Sequence, residues 1–265
     1  MISVLAGIPA VVSGMAVGSI LGLIGGGGSI LAVPLLVYFV GVESPHMAIG
    51  TSAVAVALTA LISLLMHAHS GIVKWRCAGV FTVAGVIGAF GGASFAKMVD
   101  VQLLLALFGA LMIVVGISMF VRKPALGDPN VQLTRATALQ MTPRLAGIGL
   151  AVGLLSGFFG IGGGFLIVPG LVLATGMPLL AAVGTSLVAV TAFGATTAAT
   201  YNFSGLVDWP LAGLFVLGGL AGGFAGSRLA GLLAGRKQAL NLVFAAIVTA
   251  VGLYVAARGV LVLTN

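Results

Sequence analysis

Two glycine clusters are the first residues in this chain whose types and spacing could do chemistry. Gly25-Gly26-Gly27-Gly28-Ser29 and Gly160-Ile161-Gly162-Gly163-Gly164 each interrupt an apolar run. Glycine lets φ turn positive and brings bare backbone close to a ligand. A helix beginning at Ser29 or Phe165 would present unpaired N–H groups and the positive end of its dipole, an anion site that needs no formal charge. Close helix packing is the competing use, since small residues four apart let helices touch. Runs of three or four glycines weigh against it, because each costs about 1 kcal/mol inside a helix. A dinucleotide fingerprint at Gly160–Gly164 fails on context, because no soluble strand–helix unit surrounds it.

Hydroxyls follow each cluster. Gly50-Thr51-Ser52 and Gly184-Thr185-Ser186 stand near the start of the next long apolar run. Their side chains could donate to the oxygens of an anion, cap the helix that starts there, or bond back to the preceding turn. Repetition of the pattern just after both glycine breaks keeps the first use beside the other two. The substrate-binding candidates are therefore Gly27, Gly28, Ser29, Thr51, Ser52, Gly162, Gly163, Gly164, Thr185 and Ser186.

The candidates for coupling or gating are His67, His69, Tyr201 and Asp208. His67 and His69 end an apolar run near Trp75, where an interfacial polar cap is expected. Histidine also titrates near physiological pH, which would suit proton coupling. Tyr201 and Asp208 occupy matching places later in the chain, Asp208 where Lys74 stands in the first half. His46 is the third histidine, and Cys77 is the single cysteine. No Cys/His cluster has metal-ligand spacing, so neither a metal nor a cofactor is expected. No apolar run carries a central pair of acids, so a carboxylate proton relay is not visible. Arg228 could attract anions or anchor its helix by snorkelling.

A membrane must position these residues. Only 6% of the chain is charged and 60% is apolar, against about 25% charged in a soluble domain. Soluble enzyme, nucleic-acid binder and disordered linker are excluded. Apolar runs fall at 2–24, 29–40, 47–69, 77–96, 101–121, 145–159, 165–175, 179–203, 209–231 and 238–263. Most match the roughly 20 residues of a crossing helix. The two that follow the glycine clusters are shorter. Short, glycine-interrupted segments at matching places in two halves point to a transporter binding site. The first run starts without a basic region, so a retained membrane segment is expected there rather than a signal peptide.

The halves match at an offset of about 135 residues: the glycine clusters each end in Val-Pro, then come Gly-Thr-Ser, then polar-aromatic stretches ending at Trp75 and Trp209. The expected fold is an all-α polytopic membrane protein of two homologous repeats, each with a glycine-broken helix pair. Residues 1–121 form the first repeat, 122–144 a basic cytoplasmic linker and 145–265 the second repeat. An odd number of crossings per repeat places nine basic residues on the linker side and two opposite, against seven and four for an even number. Lys/Arg bias sets orientation, so inverted repeats with both termini outside are expected.

The doubled glycine break before Pro, the doubled Gly-Thr-Ser and the Trp-terminated stretches resemble the sulfite exporter TauE/SafE family of membrane permeases. Its second-half pattern, Gly160–Gly164 with Ala182-Val183-Gly184-Thr185-Ser186, is the closer match. In the first half Gly26, Ser29 and His67 stand where Ile161, Gly164 and Tyr201 do. The resemblance implies movement of sulfite, organosulfonates or similar anions across the bacterial inner membrane, and a drawing of seven or eight spans from a doubled four-span unit. The charge count differs from that drawing. The expected function is a multi-pass transporter, not an enzyme, exporting a small sulfur-containing anion by alternating access. Its partners would be the anion and the lipid bilayer, without nucleic acid; the sequence is silent on oligomeric state. Uptake of another anion and a passive anion channel are the alternatives. An intramembrane serine protease would pair Ser52 or Ser186 with His67 or His69, but the second half has no histidine.

Overall fold

The computed structural model describes residues 4–24, 26–67, 72–121, 137–160, 164–232 and 237–263. Regular structure among them is entirely helical. In lipid each backbone N–H and C=O must be satisfied internally, and a helix does this within one segment. The first half contains α1 (Val4–Ile24), a short irregular stretch, α3 (Pro45–His67), α4 (Trp75–Ala96) and α5 (Val101–Val121). The second half contains α6 (Ala138–Phe159), α7 (Gly164–Thr175), α8 (Leu179–Asn202), α9 (Trp209–Leu232) and α10 (Lys237–Leu263). Among the described residues six helices are long and apolar enough to cross a membrane. The chain is an all-α, multi-pass membrane protein.

The irregular stretch is a 3₁₀ turn η1 (Gly26–Leu31), one α turn α2 (Ala32–Pro34) and a π turn η2 (Leu35–Phe39). Pro34 has no N–H to give and sits at the join, after which Val40 N–H donates to Leu35 O at 2.9 Å, the longer π reach. Its counterpart α7 is a regular helix of 12 residues that accommodates Pro169. Both end at a left-handed glycine, Gly41 (φ 81°) and Gly176 (φ 71°), the usual way to leave a helix. One boundary differs from expectation. Helix α6 begins at Ala138, inside the 122–144 linker range, because Ala138-Leu139-Gln140-Met141 are good helix formers. Residues 122–136 lie outside the described set.

Glycine decides which helices pair. In a bilayer apolar side chains gain nothing by leaving lipid, so association depends on close packing. Helix α1 packs along α9, with Gly14 against Phe215, Gly18 against Gly219, Gly222 against Met15 and Gly226 against Ser19. Helix α4 packs along α6, with Gly153 against Gly85, Gly157 against Ala89 and Gly149 against Phe81. At nearly all of these glycines a methyl group would strike the neighbour's backbone. Residue numbers rise together along both seams, so each pair is parallel. Helices α5 and α10 pair antiparallel, with Gly109 beside Ala256 and Gly259 beside Ala106. Helices α3 and α8 also run antiparallel, with Gly50 beside Tyr201 and Gly194 beside Ala57.

Each of these four pairs joins the two halves of the sequence. Under the offset of about 135 residues, α1 corresponds to α6 and α4 to α9, so the two parallel seams map onto each other. Helices α3 and α5 map onto their own antiparallel partners. Corresponding helices therefore run in opposite directions. The first helix of each half is seated against the other half.

Gly153→Ala should lower the thermal stability of the detergent-purified protein by about 1–3 kcal/mol, the usual cost of overpacking. Gly91→Ala, where a methyl group meets nothing within 4 Å, should be neutral or gain up to about 1 kcal/mol of helix propensity. Thermal unfolding of both variants checks the pair of signs.

Candidate functional site

Each Gly-Thr-Ser segment touches the other half through a polar atom. Lys74 N–H donates to Thr185 Oγ1 at 3.0 Å. Asp208 N–H donates to Thr51 Oγ1 at 3.0 Å. Thr51 and Thr185 occupy equivalent places, as do Lys74 and Asp208, so the two bonds are one interaction made twice in reciprocal sense. Thr51, Ser52, Thr185 and Ser186 are all fully buried. Each threonine oxygen accepts, which leaves its own hydrogen to donate. The serines bond back to their own helices: Ser52 Oγ donates to Ile49 O at 3.0 Å and Ser186 Oγ to Val183 O at 2.7 Å. Gly50 is glycine because Leu206 O and Tyr201 Cβ lie where a side chain would begin, and Gly184 faces Ile72 in the equivalent contact.

These residues do not converge on one point. Along the antiparallel α3–α8 pair, the level of Thr185 lies roughly fifteen residues from Thr51, about 22 Å at the rise of an α-helix. One polar cluster sits at each end of the bundle. Asp208, Trp209 and the C-terminus of α8 belong to the Thr51 end, while Lys74 and the start of α4 belong to the Thr185 end.

The described parts of the glycine breaks follow the same division. Helix α6 ends at Gly160, in the left-handed region at φ 66°, with its Cα against Ile49 near the start of α3. That turn lies at the Thr51 end, well away from the bundle's midpoint. Gly164 opens α7 and is buried. Gly27 and Gly28 lie in η1, which packs against both α7 and α8, and Ser29 beside them is fully buried. Gly162, Gly163 and His69 lie outside the described residues. His67 is the last residue of α3. Asp208 Oδ1 accepts from Leu211 N–H at 3.0 Å, so its carboxylate caps α9.

Sequence reasoning passed over two residues at the Thr51 end. Lys97 Nζ donates to Thr200 O at 3.2 Å and Ser204 Oγ at 2.9 Å, closing the C-terminus of α8. A cation there also complements the helix dipole. The His46 ring lies 6.2 Å from that of Tyr201, centroid to centroid. The packing of α8 against α4 brings the first pair together and its packing against α3 the second, and no spacing in the sequence announces either. Arg228 is exposed, with its guanidinium 4.2 Å over the Phe224 ring, an anchoring contact. Among the described residues no group of three His, Cys, Asp or Glu side chains gathers that could hold a metal.

The described basic residues divide unevenly between the ends. Lys74, Arg76, Arg144, Arg228 and Lys237 lie toward the Thr185 end, and Lys97 and Arg258 toward the Thr51 end. The segments joining α5 to α6 and α9 to α10 also connect helix termini at the Thr185 end.

The family model described as sulfite exporter TauE/SafE matches residues 10–255. A probable membrane transporter protein of Xylella fastidiosa is 49% identical over 243 residues, covering 92% of each chain. The probable membrane transporter protein YunE of Bacillus subtilis is 28% identical over 258 residues, covering 88% of this chain and 90% of its own. The probable membrane transporter protein MJ0441 of Methanocaldococcus jannaschii is 29% identical over 169 residues, 62% of this chain and 61% of its own. No solved structure matches.

Thr185→Val removes the bond that Lys74 N–H donates across the halves and should cost about 0.5–1.5 kcal/mol, with Thr185→Ser restoring most of it. Ser186→Ala loses only a back-bond to its own helix, which contributes little, and should stay near wild-type stability. Thermal unfolding of the three variants separates the cross-half bond from the local one.

Proposed function

Because the chain belongs to the sulfite exporter TauE/SafE family, and is a membrane transporter, we propose that it exports a small sulfur-containing anion, sulfite or an organosulfonate, by alternating access. The observation that carries this reading is the reciprocal pair of threonine bonds. Each ties the halves at one end of the bundle, and at the Thr51 end Lys97 adds bonds to Thr200 O and Ser204 Oγ. Releasing one tie while keeping the other opens a path to one face at a time.

In this reading the anion meets two equivalent half-sites in turn. Gly27, Gly28, Ser29, Thr185 and Ser186 serve the Thr185 end. Gly164, Thr51 and Ser52 serve the Thr51 end, and Gly162 and Gly163, outside the described residues, are assigned to the same half-site from the sequence alone. Threonine hydroxyls and bare glycine N–H groups replace part of the hydration shell, as an anion site without formal charge requires, and the serines join them when their back-bonds to Ile49 O and Val183 O open. The packing of η1 against α7 supplies the seam between the half-sites.

Basic residues mark the cytoplasmic side, so the Thr185 end faces the cytoplasm, with His67 and Lys74, and the Thr51 end faces outward, with Tyr201 and Asp208. Lys74 attracts the anion where it is loaded, and Asp208 stands where it is released. A negative-inside potential of about 100 mV contributes about 2.3 kcal/mol per charge toward expelling an anion. Export can then run without a second driving ion.

Counterflow of labelled sulfite in proteoliposomes tests the proposal, with sulfate, thiosulfate, sulfoacetate and taurine as competitors. Saturable, competed counterflow is expected from the wild type, and Thr51→Ala/Thr185→Ala should reduce it at least about tenfold, the value of one lost hydrogen bond to an anion. Flux that rises linearly with concentration would instead identify a channel. No sulfite counterflow from folded protein would remove sulfite as the substrate.

A further inference from the structure

Tyr201 is completely buried, yet its hydroxyl has no hydrogen-bond partner in the structure. His46 Nδ1 is also buried without a partner. The two rings touch, with centroids 6.2 Å apart and planes inclined at 36°. Buried polar atoms are almost always paired, and one left alone loses its hydration without return. Ser13, Thr82, Ser156 and Thr197 also carry unpartnered buried hydroxyls, but a serine or threonine rotor can swing to a carbonyl of its own helix. A tyrosine hydroxyl, held at the far side of its ring, cannot reach its own backbone, and the His46 Nδ1 beside it makes no bond to the start of its own helix.

The surroundings favour an anion. Lys97 bonds Thr200 O and Ser204 Oγ, one residue before Tyr201 and three after it. Thr51, whose hydroxyl hydrogen is left to donate, follows Gly50, and Gly50 is the residue against which Tyr201 packs. Asp208 is the nearby acid, and its carboxylate is engaged by the start of α9. In the other half Leu180 stands in the place of His46 and His67 in that of Tyr201, so this ring pair exists at one end only.

We propose that His46 and Tyr201 together bind an oxygen of the transported oxyanion at the Thr51 end, the tyrosine hydroxyl and a protonated Nδ1 both donating to it. The pair thereby gives one face of the transporter a contact that the other lacks. This inference rests on the reading of the chain as an anion carrier. It predicts an affinity difference between the two faces.

The test uses Tyr201→Phe and His46→Leu, the latter copying the residue tolerated at the equivalent position. Sulfite binding to detergent-purified protein and sulfite counterflow from each face of oriented proteoliposomes are measured beside thermal unfolding. Tyr201→Phe should unfold at or above the wild-type temperature, since the hydroxyl has no protein partner to lose. Both variants should bind sulfite roughly ten- to a hundredfold more weakly, as expected for a lost hydrogen bond to a charged group. Half-saturation should rise at one face only. If Tyr201→Phe lowers the unfolding temperature and leaves sulfite binding unchanged, the hydroxyl holds a buried structural water and the proposal is overturned, while the carrier reading stands. Absence of sulfite binding by the wild type overturns both.

Discussion

Everything in this fold depends on helix backbones lying directly against one another. The lipid supplies no hydrophobic drive to hold apolar helices together, so van der Waals contact between surfaces without side chains has to do so. Gly14, Gly18, Gly218, Gly222 and Gly226 make one such surface pair, and Gly85, Gly149, Gly153 and Gly157 take part in the other. Both seams join a helix of one half to a helix of the other. The sequence halves are therefore not separable bodies. Alternating access, as proposed, would move the α1–α9 pair against the α4–α6 pair, with α3 packed on α9 and α8 on α4. The threonine ties lie where that movement would be felt, at the two ends of the crossing helices.

Equivalent positions carry unequal chemistry, and this gives the two ends different characters. Asp208 caps α9 with its side chain, a favourable charge at a helix N-terminus. Lys74 holds the same place before α4, where the N-cap makes no side-chain bond and a cation opposes the dipole. Phe193 and Thr59, at matching places near the middle of α8 and α3, also differ. Phe193 stacks on Phe81 and fills the gap over Gly85. Thr59 leaves a water-sized void beside Phe215 and Gly219.

Much of this was legible in the sequence because the bilayer imposes simple rules. Apolar length and glycine or proline punctuation located nearly every helix to within a few residues; α6 ran into the linker range because helix propensity outlasts hydropathy there. The odd-crossing charge count agrees with the helix directions. The Gly-Thr-Ser repeats were recognisable as important, but their partners were not. A hydrogen bond from Lys74 to Thr185 spans more than a hundred residues, and hydropathy periodicity carries no trace of it. The depth of the second glycine break was not legible either: Gly160 lies against Ile49 toward one end, where the packing of α6 along α4 carries it. His46 meeting Tyr201 likewise follows from the antiparallel crossing of α3 and α8, which only the folded chain reveals.

The central claim is that the two ends are equivalent gates facing opposite sides and opening in turn. Impermeant maleimide labelling of Ile72→Cys and Leu206→Cys, each in a Cys77→Ala background and in sealed oriented vesicles, tests it most directly. The Ile72 side chain seats against Gly184 and the Leu206 carbonyl against Gly50, beside the two threonine ties. Alternation predicts labelling of Ile72→Cys from the cytoplasmic face and of Leu206→Cys from the outer face, with a sulfite gradient raising one as it lowers the other. Labelling of both from the same face, or in step with each other, would contradict it.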